Sequence, residues 1–166
     1  MDQSWVENMD QKSFFLEMVL NLSGVLEQVI GLEDAEGYLA LVGKKIGHDI
    51  YEDQKACHGD GNITIERLSE ILVGLKSRIR GGFSIESIED GKITLVNTDC
   101  PFGPRVAGHE SLCMMTSSVF GTISAEAFGQ ANVDIRQSIA AGHGGCRVIV
   151  NLNDLSTPGR NYFKST

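Results

Sequence analysis

Four cysteines, Cys57, Cys100, Cys113 and Cys146, are the residues of this sequence best suited to chemistry. They include no Cys-x-x-Cys pair, so the local metal signal is weaker than in a zinc ribbon. Three of them fall at the ends of predicted elements: Cys100 follows a strand, Cys113 lies in the first turns of a helix, and Cys146 opens the last strand. Because element ends gather at one edge of a sheet, we expect these three thiols to converge.

Convergent thiolates bind soft metal ions, so zinc and an iron–sulfur cluster are both candidate cofactors. Cys57 and His143 are the first candidates for a fourth ligand, with His109 and His58 as alternatives. A position at a helix N-terminus also predicts a lowered pKa for the Cys113 thiol. The competing interpretation is that the cysteines are independent packing residues and that the protein has no cofactor.

The elements that would position these residues follow from apolar spacing and turn signals. Helices are predicted over 13–30, 34–51, 64–80 and 110–128, and strands over 83–88, 93–98, 131–139 and 146–152. This order predicts an α+β fold in which N-terminal helices pack on an antiparallel sheet. We expect a single domain over 1–166, with a helical part over 1–80, a cysteine-bearing part over 81–152 and a frayed polar tail over 153–166.

The first predicted helix carries a wide apolar stripe, made of Phe14, Met18, Leu22, Val25 and Val29. Such a stripe packs either against the core of its own chain or against a second copy. We expect a homodimer that uses this helix.

Composition excludes several classes of function. The net charge of −8 disfavours nucleic acid and anionic lipid as partners. No segment is expected to reach the roughly 20 apolar residues of a membrane span, and the N-terminus does not resemble a signal peptide, so the expected location is the cytoplasm. Walker and Gly-x-Ser-x-Gly motifs are absent, and the protein is not expected to be an enzyme.

The region from about Leu95 to Leu152 resembles the four-vinyl-reductase-type domain and its relative, the methanogen output domain. The resembling segments are Cys100-Pro101-Phe102, Leu112-Cys113, Phe120-Gly121, Ser138-Ile139-Ala140-Ala141-Gly142 and Cys146-Arg147-Val148. The resemblance implies a fold shared with haem nitric-oxide-sensing and Golgi-transport TRAPP domains. It also implies a small-molecule sensor, often dimeric and attached to a signalling output, and in some relatives a zinc site beside a hydrocarbon or phenol.

Zinc-bearing relatives carry a Glu-x-x-Cys pattern before the last cysteine, and this sequence has Ile135 and Ser138 at those positions. Cys113 and Cys146 match the first and last cysteines of the pattern. The resemblance therefore leaves room for a different site, in which Cys100 and a further Cys or His replace the missing ligands.

The resulting hypothesis is a cytosolic sensory domain that passes ligand or redox state to a downstream signalling protein. Its signal would be a small apolar molecule, a metal or cluster, or an oxidant acting on the thiols. A ligand pocket is expected to be lined by Phe102, Met115, Val119 and Phe120. Two alternatives remain: a TRAPP-like scaffold without cofactor, and an accessory subunit of a pigment-pathway reductase.

Overall fold

The computed structural model describes residues 9–59, 61 and 63–166. Its helices are α1 (Gln11–Ile30), α2 (Leu32–His58), α3 (Ile65–Arg78) and α4 (Cys113–Phe128), and two 3₁₀ turns cover Pro104–Val106 and Glu110–Leu112. Its strands are β1 (Ser84–Glu89), β2 (Lys92–Asn97), β3 (Gln130–Gln137), β4 (Cys146–Asn151) and β5 (Arg160–Phe163). The predicted α+β class is confirmed.

The sheet has the strand order β1-β2-β4-β3-β5, and every neighbouring pair is antiparallel. The β1–β2 hairpin turns at Asp90 and Gly91, which both have positive φ, 51° and 74°. This is the backbone that a tight hairpin needs, and Asp-Gly adopts it readily. The turn joins the two strands that the sequence predicted over 83–88 and 93–98.

The main core lies between α3, α4 and one face of the sheet. Its largest fully buried side chains are Leu68, Leu72, Ile93, Leu95, Phe120, Ile123, Val133, Val148 and Val150. Phe83 and Phe120 meet edge to face with ring centroids 5.6 Å apart. Removing this apolar surface from water is the principal stabilising contribution to the fold.

Helices α2 and α4 pack closely because α2 has glycines where they meet. A Cβ atom added to Gly43 would lie 2.7 Å from the Cβ of Ser118, and one added to Gly47 would lie 2.9 Å from the Cβ of Thr122. Each distance is shorter than a van der Waals contact, so these two positions admit only glycine at the present helix spacing.

A second, smaller core joins α1 to the loops that carry the cysteines. Its buried members are Leu20, Val106, Leu112 and Ala140, and the side chains packed against them include Leu16, Val19, Cys100, Phe102, Cys113 and Ile139. We call this set the small core. It places the inner face of α1 directly over the cysteine-bearing segments.

By length and composition alone, α1 is long and apolar enough to cross a membrane, and it is the one such helix within the described residues. The expectation that no segment would pass this test was wrong. Polar contacts nevertheless fix α1 to the domain: Glu17 pairs with Arg105, and Glu27 Oε1 accepts the N–H of Ser111 at 3.0 Å. These contacts fit a helix docked on a folded domain better than one surrounded by lipid.

The C-terminal segment differs from its prediction as a frayed tail. Residues Arg160–Phe163 form β5, which pairs with β3, and the ring of Tyr162 packs over Gly121. The Tyr162 hydroxyl lies 2.7 Å from the Oγ of Ser117. The segment is ordered because one aromatic side chain reaches the core, a long-range contact that its polar composition conceals.

Candidate functional site: a thiol-lined cavity beside a buried lysine

Three separate segments bring Cys100, Cys113 and Cys146 to one end of the sheet. Cys100 lies in the turn after β2, Cys113 begins α4, and Cys146 begins β4 opposite Asn97 of β2. The convergence predicted from the element ends agrees with this placement. Cys57, by contrast, is exposed on the last turns of α2 and is not among the residues lining the cavity described next.

Asn97 fastens these segments together. Its Nδ2 donates to the backbone carbonyls of Gly81 at 3.0 Å and Asp99 at 2.9 Å, and its Oδ1 accepts the N–H of Cys146 at 3.0 Å. The side chain is buried, and each of these bonds satisfies a main-chain group near the site. Asn97 therefore fixes the Cys100 loop relative to the start of β4.

The three thiols line one small apolar cavity of about 30 Å³. The other lining residues are Phe83, Asn97, Pro101, Phe102, Val106, Leu112, Thr116, Ile135, Ser138, Ile139, Ala140 and Val148. A volume of this size accommodates about one water molecule. A register shift between Ile135 and Gln137 in β3 lies at its edge, and such irregularities are common beside functional sites.

The cavity has a neighbour that the sequence analysis missed, the buried amine of Lys76 on α3. Lys76 is only 4% exposed, and its Nζ donates to Thr116 Oγ1 at 2.8 Å. The same nitrogen lies 5.2 Å from the ring centroid of Phe120 and 5.8 Å from that of Phe83. Lys76 follows Leu68 and Leu72 at steps of four, so its position on the buried helix face was the available signal.

The charges around Lys76 are unusual for a buried cation. Within the described part of the chain, no carboxylate lies within ion-pair distance of it, and the only ionisable groups that act on it are the three thiols. Burial lowers the pKa of Lys76 from 10.5 to about 8. A buried ammonium without a carboxylate indicates that this site is suited to additional negative charge.

Burial holds the thiols of Cys100 and Cys113 protonated. Burial raises the pKa of Cys113 from 9.0 to about 11, more than a hydrogen bond with Ser138 lowers it. The pKa of Cys100 is also raised, for the same principal reason. The expected lowering at Cys113 was wrong, because desolvation of the sulfur outweighs the helix N-terminus.

A second, open cleft of about 370 Å³ adjoins the cavity and shares Cys113, Ile135 and Ser138 with it. It is polar, and its lining includes Glu36, Glu110, Asp134, Arg136, His143 and Arg160. His143 Nδ1 lies 3.1 Å from the backbone oxygen of Ser138. The predicted fourth ligand His143 is thus not among the residues lining the thiol cavity, but it lines the same cleft as Cys113.

The four residues expected to line a ligand pocket are not brought together. Phe102 lines the thiol cavity, whereas Val119 and Phe120 belong to the main core, and Met115 faces Gly43 of α2 through its backbone. Val119 and Phe120 are thus used in packing the core and are not among the residues lining the cavity.

Among the described residues, no three His, Cys, Asp or Glu side chains stand in an arrangement that would hold a metal ion. Thiolate sulfur is the ligand type that soft metal ions prefer, and the three cysteines, from three segments, line one small cavity. Ile135 and Ser138, the positions that the sequence resemblance compared with a Glu-x-x-Cys pattern, line the same cavity. Binding would require the thiol side chains to rotate.

The fold and the site define a class of protein: an α+β domain in which helices and an antiparallel sheet enclose a thiol-lined cavity. The family model of methanogen output domain 1 matches residues 18–151, and this chain belongs to that family. The match runs from α1 through β4, well beyond the region of sequence resemblance, and indicates an output domain of the signalling type. No curated protein matches the chain.

Proposed function

We propose that this domain is a regulatory sensor within a signalling protein, and that Cys100, Cys113 and Cys146 hold a single soft metal ion, with zinc as the first candidate. One observation carries the proposal: three thiols from three segments share a cavity beside a buried lysine that has no carboxylate partner among the described residues. The proposed role of these thiols is regulatory rather than catalytic.

Charge balance supports this occupant. Three thiolates around a divalent ion carry a net charge of about −1, and the Lys76 ammonium would offset it within an apolar surrounding. Without metal, Cys100 and Cys113 stay protonated, as their raised pKa values indicate. Metal binding would therefore release thiol protons, which couples occupancy to pH.

The volume of the thiol cavity distinguishes between the two cofactors that the sequence suggested, a single zinc ion and an iron–sulfur cluster. A cavity of about 30 Å³ suits one ion, whereas an iron–sulfur cluster or a phenol-sized molecule requires a larger space. A single ion is therefore the better-supported occupant. The open polar cleft beside Cys113 offers it an access route.

The small core supplies a path from the site to the surface. Cys100 and Cys113 both pack against the cluster that includes Leu20 of α1. Rotation of these thiols toward a metal would alter the packing under α1, and α1 is the element through which occupancy would be reported to a partner.

The direct test is zinc binding by the full chain, purified anaerobically in reducing buffer and titrated against a chelator. We expect about one zinc per chain, and affinity at least about tenfold weaker after Cys113→Ser or Cys146→Ser. Cys57→Ser is the matched control, because this cysteine is exposed and outside the cavity, and it should bind like the parent. Binding that survives removal of all three cavity cysteines, or a brown iron-loaded protein, would overturn the single-ion proposal.

A further inference from the structure

The outer face of α1 carries an apolar pattern with a period of 3.5 residues. Phe15, Met18, Leu22, Val25 and Val29 follow one another at alternating steps of three and four. All five are exposed, with exposed fractions between 49% and 75%. We call this set the α1 seam. A strict 3.5-residue period keeps an apolar stripe facing another helix in a left-handed supercoil.

The inner face of α1 docks the helix on its own domain. Leu20 is buried, the Ser23 hydroxyl lies 3.3 Å from His109 Nδ1, and Gly24 faces the same imidazole ring. Beyond Lys12, the charged residues of α1 are Glu17 and Glu27, and both bind the domain on this side of the helix. The seam therefore lies opposite the docking face and carries no charge.

We propose that the α1 seam forms a two-stranded coiled coil with a second copy of this chain. The 3.5-residue period favours a helix as the partner, since a flat surface or a lipid bilayer imposes no such period. Asn21 and Gln28 flank the seam and are uncharged, so two identical copies meet without the like-charge repulsion that a chain of net charge −8 would otherwise impose.

A membrane is a poorer occupant of the seam. Helices that lie on membranes carry Lys and Arg on their polar face, whereas the polar contacts of α1 are made by Glu17 and Glu27, which bind the domain. Insertion across a bilayer would also strip both carboxylates of these partners.

The available area is sufficient for a specific dimer. Five side chains that are about half exposed or more offer on the order of 500 Å² per copy, or about 1,000 Å² in total, which reaches the lower bound for a specific interface. Tyr38, Leu41, Val42 and Ile46 of α2 are exposed as well and add to the apolar surface of the helical part.

The test is the sedimentation of the full chain at tens of micromolar, with and without Leu22→Lys. We expect a dimer for the parent and a monomer for Leu22→Lys, because a buried lysine at the centre of the seam would lose its hydration. Leu22 makes no core contact, so far-UV circular dichroism should stay unchanged. Phe163→Lys is the matched control: it removes a 63%-exposed apolar side chain on β5 and should leave the dimer intact.

Cross-linking then tests the helix pairing itself. With Cys57→Ser as background, Val25→Cys should form an intermolecular disulfide on mild oxidation, whereas Asn21→Cys at the flank should do so more slowly. A monomeric parent, a Leu22→Lys variant as dimeric as Phe163→Lys, or binding to phospholipid vesicles in preference to self-association would overturn the proposal. Because none of these readouts involves the cavity, failure here leaves the proposed metal site standing, and the reverse also holds.

Discussion

The main core and the small core of this domain differ in composition. The main core holds large apolar side chains, packed between α3, α4 and the sheet. The small core is assembled from loops, 3₁₀ turns, thiols and the inner face of α1, and it borders a cavity. Packing alone explains the first. The second includes Cys100 and Cys113, and the buried amine of Lys76 lies where the cavity meets Phe83 and Phe120 of the main core, an arrangement that stability alone does not favour. The difference separates the part that holds the fold from the part that we propose to report a signal.

The largest effect should come from the main core. Phe120→Ala removes a fully buried ring that also contacts Phe83, and we expect it to lower the free energy of unfolding by about 3–5 kcal/mol. Phe102→Ala, at the half-buried edge of the cavity, should cost only about 1 kcal/mol. Chemical denaturation of both variants measures the contrast, and equal losses would mean that the two regions do not differ as described.

A smaller loss is expected where polar contacts hold the cavity together. Asn97→Ala would remove three hydrogen bonds and leave the N–H of Cys146 buried without its partner, at a cost of about 2–3 kcal/mol. Asn153→Ala, an exposed asparagine with one bond to Asp90, should cost about 0.5 kcal/mol or less. Urea unfolding measures the loss of unfolding free energy in both variants. A loss in Asn97→Ala as small as that in Asn153→Ala would show that other contacts hold the Cys100 loop.

The smallest effect concerns the charge of Lys76. Because its pKa falls from 10.5 in the unfolded chain to about 8 in the fold, burying the charge costs stability at neutral pH, and this cost is relieved as pH rises through 8. Between pH 7 and 9 the parent should therefore gain about 1 kcal/mol of unfolding free energy relative to Lys76→Met. Above pH 9 the raised pKa of Cys113 acts in the opposite direction, so the comparison ends there.

Lys45→Met is the control for this comparison, because the Lys45 side chain is 79% exposed. Its difference from the parent should not change with pH over the same range. A Lys76→Met difference that is equally flat would show that the buried amine keeps its proton throughout.

Local sequence signals predicted most of the fold. Apolar periodicity located the four helices, and Asp90-Gly91 located the hairpin, because both depend on neighbours in sequence. The end of α2 was missed, since the helix predicted to end at residue 51 continues through a polar stretch to His58. Strand β5 was missed because its order depends on Tyr162 reaching Gly121 across the fold.

The candidate site was predictable only in part. Positions at element ends placed three cysteines together correctly, since sheet edges gather such ends. The lysine beside them was not foreseen, because a basic residue in a helix is normally solvated and only the packing of α3 on α4 buries it. The pKa of Cys113 was predicted with the wrong sign for a related reason: burial, which decides it, is a property of the folded chain.

The central claim is that the thiol cavity communicates with α1, and hydrogen exchange tests it most directly. Amide exchange of the full chain is measured with and without zinc, in the parent, Cys57→Ser and Cys113→Ser. The account predicts that zinc changes exchange in α1 and in the segment 100–113 of the first two proteins, leaves the central strands β2 and β4 unchanged, and has no effect in Cys113→Ser. Amide exchange in α1 that is the same with and without zinc, or that changes equally in Cys113→Ser, would contradict communication between the cavity and α1.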